Sequence, residues 1–283
     1  MSKALTFEGV FPILATPFDD QQNLDCASFG RLVEFMADIG VQGVTILGVL
    51  GEANRLLDAE RAQLIRSAVA AANQRIPVIV GASHSGTRAA CDLSKMAQDL
   101  GADAVMLTPH AEAVPNEDRV FEYFSAVAAS IDIPVVAQDH PASTNVHMTV
   151  KLLLRLMNEL PSVACIKEEA LPTPPKIRAL RAGMSARKVP VLTGLGALYG
   201  LFDLEAGASG FNTGFAFPEV LMAMTSAARA GDWARVRTIY ARYLPLIVFE
   251  QQPGVAVRKE ILRLRGLLSS RQLRRHIPSF GAL

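Results

Sequence analysis

Residues 163–170 read VACIKEEA, a run of small and apolar side chains that ends in a lysine and two glutamates. Val163, Cys165 and Ile166 suit a strand buried on both faces, where an ammonium group is costly to place. Side chains two apart on a strand share a face, so Lys167 and Glu169 point the same way. A lysine directed into such an interior loses hydration, which disfavours its charged form and makes neutral amine available. That amine can attack a carbonyl to form a Schiff base. The protonated imine is an electron sink. It acidifies the neighbouring carbon, and the enamine that results expels a group one carbon further along. Glu169 is placed to act as general acid/base at that carbon or at a leaving hydroxyl. The same residues also fit a structural Lys167–Glu169 ion pair, or a lysine already in solvent past the strand end.

The elements that must position this pair repeat eight times. Short apolar runs (GVFPILATP, VQGVTILG, PVIVGA, ADAVMLTP, PVVAQD, VACIKEE, VPVLTGL, ASGFNTG) alternate with amphipathic stretches such as ASFGRLVEFMADIG, DAERAQLIRSAVAAAN and TRAACDLSKMAQDLG. Gly40, Gly101, Gly207 and Gly231 stand where helices stop. Continuous apolar strands indicate a parallel sheet covered on both faces. Eight such units in a chain of this length fit an α/β protein of the (β/α)8 TIM barrel type. An open doubly wound sheet is the competing fold, but no G-x-G-x-x-G follows the first strand. Two further helical stretches, DWARVRTIYARYLPLIVFE and GVAVRKEILRLRG, are joined through QQPG. They make residues 231–283 a C-terminal helical cap of the same domain as the barrel, residues 1–230.

Composition narrows the partners. The 283 residues are 50% hydrophobic and 19% charged, enough to bury a large core, and 28 basic against 27 acidic residues leave a net charge of +1. No basic run exceeds a pair, RQLRRH at 271–276 coming nearest, which argues against nucleic acid and membrane surfaces as partners. The N-terminal apolar stretch is short, is broken by Pro12 and Pro17 and lacks a basic lead, unlike a signal or transit peptide. Cys26, Cys91 and Cys165 are far apart and odd in number, so a reduced, cytoplasmic setting is expected.

In barrels of this kind the chemistry lies where strands end and βα loops begin. Those positions hold Glu52, His84, His110, Gln138, Asp139 and His140, then Lys167, Glu168 and Glu169, and finally Thr193, Asn212 and Thr213.

With these placements the chain resembles the family of class I Schiff-base lyases that includes dihydrodipicolinate synthase and N-acetylneuraminate lyase. GVFPILATPF is similar to the family's opening strand, GVLGEANRL to its G-[ST]-T-G-E loop, MLTPH to T-P-Y-Y, IPVVAQDHP to P-[IV]-x-x-Y-N-x-P, and ACIKEEA to the strand with the Schiff-base lysine. The resemblance implies that Lys167 captures a 2-keto acid covalently with no metal or other cofactor. It also implies that Gly48, Val49, Leu50 and Gly51 hold the substrate carboxylate through backbone N–H groups. Asn212, at the end of the eighth strand, is expected to border the keto acid.

The departures from the pattern are as informative. The strand-5 tyrosine is replaced by Gln138, an amide that exchanges protons poorly. Val49 and Leu50 stand in place of two hydroxyl residues, Ala111 in place of the second tyrosine after strand 4, and Ser143 in place of the arginine expected to hold aspartate semialdehyde. Together they argue against a synthase that condenses pyruvate with that aldehyde. The L-2-keto-3-deoxyarabonate dehydratases resemble the chain more closely. They share a V-Q-D-x-P stretch like AQDHP, a K-x-E like Lys167–Glu169, and an S-H-x-x-T like Ser83–Thr87. The implied reaction is loss of water from a 2-keto-3-deoxy sugar acid, with Lys167 and Glu169 catalytic and Gln138, His84 and His110 in contact with substrate. An aldolase of the same family is the alternative.

Two other classes stay open. His84, His110 and His140 on consecutive strand ends, with Glu52 or Asp139, could form the metal centre of a hydrolase or class II aldolase, although no H-x-H or H-x3–4-H spacing is present. A silent barrel that only binds a keto acid is the other, and a buried Lys–Glu pair is a costly relic for such a protein to keep. A homodimer or homotetramer is expected from the family resemblance, and YLPLIVF at 243–249 is a candidate core or contact segment.

Overall fold

The computed structural model describes residues 5–111, 116–252 and 254–274. Its strands are β1 (Gly9–Val10), β2 (Val44–Ile46), β3 (Val78–Gly81), β4 (Ala104–Leu107), β5 (Val135–Asp139), β6 (Val163–Glu168), β7 (Val191–Thr193) and β8 (Gly210–Phe211). All pair in parallel, in the order β1-β8-β7-β6-β5-β4-β3-β2. A further parallel bridge, Ile13 to Thr45, joins the continuation of β1 to β2 and closes the sheet into the (β/α)8 barrel. At the β1–β8 seam, Gly210 has a φ of +146° and its α-carbon lies against the Gly9 carbonyl, where a Cβ would overlap backbone.

The helices are α1 (Cys26–Asp38), α2 (Asp58–Ala72), α3 (Thr87–Asp99), α4 (Glu117–Ala128), the single turn α5 (Pro141–Thr144), α6 (Val150–Glu159), α7 (Thr173–Gly183), α8 (Gly200–Glu205), α9 (Pro218–Arg229), α10 (Trp233–Gln251) and α11 (Val255–Leu264). Several start on a side-chain cap. Asp25 accepts from the Ser28 amide at 2.9 Å, Asn116 from Asp118 at 2.8 Å and Thr149 from Leu152 at 3.1 Å. Among the described residues no helix is long and apolar enough to cross a membrane.

Strand alternation divides the core. Val44, Ile46, Val105, Leu107, Val163 and Ile166 face outward against the helices. Phe7, Phe11, Ile79, Met106, Val136, Cys165 and Leu192 fill the barrel interior. A third cluster, including Phe211, Phe215, Leu221, Met224, Tyr240 and Ile247, packs α9 and α10 on β8. The YLPLIVF segment therefore serves two surroundings, for Ile247 is buried whereas Val248 and Phe249 are 43% and 54% exposed. The proposed division at residues 230 and 231 falls between α9 and α10. Residue 253 of the QQPG junction, residues 275–283 of RQLRRH and the cap, and residues 1–4 of the N-terminal stretch lie outside the described residues.

Buried ion pairs fasten the C-terminal helices over the barrel mouth. Lys259, wholly buried, donates to Glu52 Oε1 at 2.8 Å and to the Gln272 carbonyl at 2.7 Å, while the Arg274 amide donates to Glu52 Oε2 at 2.9 Å. Arg258 Nε donates to Glu250 Oε2 at 2.8 Å, and Glu250 Oε1 accepts from the Ala216 amide at 3.3 Å. Removing one member of such a pair strands the other charge. We expect Lys259→Met to lower the unfolding free energy by about 3 kcal/mol in urea titrations, and Glu52→Gln added to it to cost less than the two single losses combined.

Candidate active site

On β6 the pleat sends Cys165, Lys167 and Glu169 into the barrel and Ile166 and Glu168 out of it. The apolar floor ends at Cys165, and the next inward residue is Lys167, 1% exposed. Its Nζ lies 3.1 Å from Glu169 Oε2. Gln138, opposite Lys167 in the β5–β6 register, donates its amide to the same Oε2 at 2.6 Å. The Leu195 amide donates to Glu169 Oε1 at 2.9 Å.

That last contact comes from the loop after β7, whose GLGA sequence at 194–197 has no polar side chain to mark it. Leu195, Gly196 and Ala197 follow one another at φ values of 50°, 62° and 65°, and two of these are residues that seldom adopt the left-handed region. Thr213 secures the loop by accepting from the Gly196 amide at 2.7 Å. A Cβ on Gly194 would overlap the Glu169 carboxylate, so the glycine makes room for it. Burial opposes ionisation of Glu169. The Lys167 ammonium, His140 and the Leu195 and Gln138 donors outweigh it and hold the carboxyl below its ordinary range.

Several strand-end residues placed at the mouth from sequence point elsewhere. Asp139 and Glu168, one step out of phase with Gln138 and Lys167, face the helices. There Asp139 accepts from Lys176, and Lys176 Nζ also lies 3.6 Å from Glu168 Oε2 and donates to the Met148 carbonyl at 2.7 Å. Thr193 turns outward to Asp203. Glu52 belongs to the C-terminal fastening described above. Lys176 and Lys259 are polar partners that no local pattern marks, since each meets its carboxylate through the tertiary fold.

Around the pair, Asn212 is wholly buried, and neither its Oδ1 nor its Nδ2 has a hydrogen-bond partner among the described residues. In the loop after β2 the Gly51 amide is used internally, donating to the Gly48 carbonyl at 3.0 Å. Val49 is 56% exposed, and Leu50 packs towards Gly214. His84 and His110 interact with each other at the rim, where His110 lines a separate groove of about 470 Å³ with Ser85, Thr87 and Tyr123. Among the described residues no hydrogen bond or ion pair links either histidine to Lys167 or Glu169. His140 instead lies close enough to Glu169 and Lys167 to feel both charges. The three strand-end histidines are thus not gathered together, and the described residues contain no group of three or more His, Cys, Asp or Glu that could hold a metal ion.

A closed parallel barrel with an enclosed lysine–carboxylate pair at the carboxyl ends of its strands is the architecture of a barrel enzyme. The chain belongs to the dihydrodipicolinate synthetase family, whose model matches residues 6–279, and is a lyase of that family. It is 37% identical over 276 residues to L-2-keto-3-deoxyarabonate dehydratase of Azospirillum brasilense, covering 95% of this chain and 88% of that enzyme. Dihydrodipicolinate synthase from Rhodopseudomonas palustris superimposes with a TM-score of 0.89 at 36% identity, over 95% of this chain and 91% of that one. A prophage protein from E. coli K12 that belongs to the dihydrodipicolinic acid synthase family, solved in complex with pyruvate, gives 0.85 at 27% identity, over 97% and 93%.

The outward carboxylates carry a stability signature. Burial, and then the neighbouring Asp139, push Glu168 from its ordinary 4.5 up to about 8 against the pull of Lys176. The folded protein therefore keeps a proton that the unfolded chain releases. This contribution is complete below the unfolded value near 4.5 and is lost as pH rises through about 8. Glu168→Gln preserves an acceptor for the Ala170 amide, which Glu168 Oε1 now meets at 2.7 Å, without titrating. The unfolding free energy from urea titrations is expected to fall between pH 5 and pH 8 by at least about 1 kcal/mol more in the wild type than in this variant.

Proposed function

We propose that the protein is a Schiff-base-forming lyase that dehydrates a 2-keto-3-deoxy sugar acid of the L-2-keto-3-deoxyarabonate kind. The observation that carries this reading is the enclosed Lys167–Glu169 contact of 3.1 Å, with Gln138 where related synthases are expected to use a tyrosine. The dehydratase relative and the pyruvate-bound family structure support the substrate class.

Proton transfer along the Lys167–Glu169 contact frees the amine to attack C2 of the keto acid. Glu169 then returns that proton to the carbinolamine oxygen, which leaves as water. The iminium left on Lys167 acidifies C3. Glu169, anionic again, removes a C3 proton and gives the enamine, which expels the C4 hydroxyl. In this scheme the amides of the Gly48–Gly51 loop hold the C1 carboxylate, chiefly those of Val49 and Leu50 because that of Gly51 is spent. The unpartnered amide of Asn212 and the side chain of Gln138 border the keto-derived nitrogen. His84 and His110 stand further out, for the distal hydroxyls. The lysine itself supplies the electron sink, so the scheme calls for no metal or organic cofactor. A homodimer or homotetramer is the assembly we propose.

Borohydride added with pyruvate is expected to fix a mass increase on Lys167 and to inactivate the protein. With L-2-keto-3-deoxyarabonate the expected product is 2-oxoglutarate semialdehyde, whereas release of pyruvate would mark an aldolase. Lys167→Ala should lose both labelling and turnover. Undiminished turnover in that variant would refute the reading.

A further inference from the structure

Elimination leaves a proton on Glu169 that must reach the C4 oxygen, one carbon beyond the carbon it came from, and the donors around this glutamate fix it in one place. Its Oε1 is held by the Leu195 amide and its Oε2 by Gln138 and Lys167. Donors on both oxygens stabilise the anion, so once protonated this glutamate readily passes its proton to a neighbouring base.

A second titratable group stands beside it. In the β5–β6 register Gln138 pairs with Lys167 and Asp139 with Glu168, so His140 comes level with Glu169. The Glu169 amide donates to the Asp139 carbonyl at 2.9 Å and keeps the two backbones together at this point. By strand alternation His140 shares the inward side of Gln138, opposite to Asp139. Its Nδ1 lies 2.6 Å from Ser143 Oγ, and that hydroxyl donates at 3.2 Å to the His140 carbonyl. Where Nδ1 carries the ring proton, Ser143 Oγ accepts it while its own hydroxyl proton goes to the carbonyl. The unprotonated nitrogen is then Nε2.

We propose that His140 is a catalytic residue that relays the C3 proton from Glu169 to the departing C4 hydroxyl. The proposal rests on the dehydratase reading above. Glu169 takes the C3 proton, and the C–H electron pair becomes the enamine double bond. Nε2 takes this proton from Glu169, and the imidazolium gives it to the C4 oxygen as the C4–O bond breaks. The oxygen leaves as water with that bonding pair. The enamine electrons form C3=C4, conjugated with the restored iminium, while Glu169 and His140 return to their starting forms. Burial holds His140 below its ordinary range, against the attraction of Glu169, in keeping with a neutral resting imidazole.

The test compares wild-type protein with His140→Gln in three measurements. These are borohydride trapping of pyruvate on Lys167, exchange of the pyruvate methyl protons in D2O, and dehydration of L-2-keto-3-deoxyarabonate. Trapping and exchange require only the iminium and Glu169, and are expected to stay at wild-type levels. Dehydration is expected to fall about 10²- to 10⁴-fold, the range of a lost general acid/base. Ser143→Ala should show the same selective loss to a lesser degree. Dehydration at the wild-type rate in His140→Gln would overturn the relay, and so would a parallel loss of trapping and exchange, which would make His140 a support of the site. Failure of the wild-type protein to trap pyruvate or dehydrate the sugar acid would instead overturn the dehydratase reading, and the relay with it.

Discussion

A lysine and a glutamate 3.1 Å apart, almost wholly removed from water, are the constraint around which this barrel is arranged. At an effective dielectric constant of about 20 their attraction is on the order of 5 kcal/mol. Removing each ion from water costs several kcal/mol, so the pair adds little to stability and apolar residues of similar volume would serve the fold as well. What the pair does provide is an amine and a proton acceptor in one enclosed space. In the proposed reaction the amide donors on Glu169 keep that acceptor anionic after Lys167 is consumed by imine formation, so a base remains for the next step.

The strand pleat decides which charges take part. On β6 a single step separates Lys167 and Glu169, directed inward, from Glu168, directed at Lys176 and Asp139 behind the barrel wall. The same alternation on β5 separates Gln138 from Asp139. Two sets of buried charges thus lie back to back across the wall, and only the inner set faces the barrel interior, where the proposed reaction takes place. The C-terminal helices add a third set over the mouth. Glu52 and Lys259, 207 residues apart, hold the loop after β2 against α11, and Glu250 with Arg258 reaches the loop after β8 through Ala216.

Much of this was legible in the chain itself. The eight βα units show in the apolar runs, because strands buried on both faces have no polar alternation and stand out from the amphipathic helices. The shared direction of Lys167 and Glu169 follows from their spacing alone. The outward course of Asp139, Glu168 and Thr193 did not, because lying near a strand end says nothing of which side a residue faces until the phase of the pleat is known. The Leu195 amide on Glu169 was invisible for another reason: it is a backbone group, offered by a loop with positive φ angles, and no side-chain pattern encodes it. Lys259 and Glu52 are joined only by the closed fold. His140 appeared in the sequence as one of three strand-end histidines, and the β5–β6 register is what separates it from the two at the rim.

The most direct measurement is a crystal structure of the protein soaked in a 2-keto acid near neutral pH, without reductant. The account predicts continuous density from Lys167 Nζ to C2 of the acid, with Glu169 still held by the Leu195 amide and facing C3. A keto acid bound elsewhere, or bound beside Lys167 with its C2 oxygen intact and the Lys167–Glu169 contact unbroken, would contradict it.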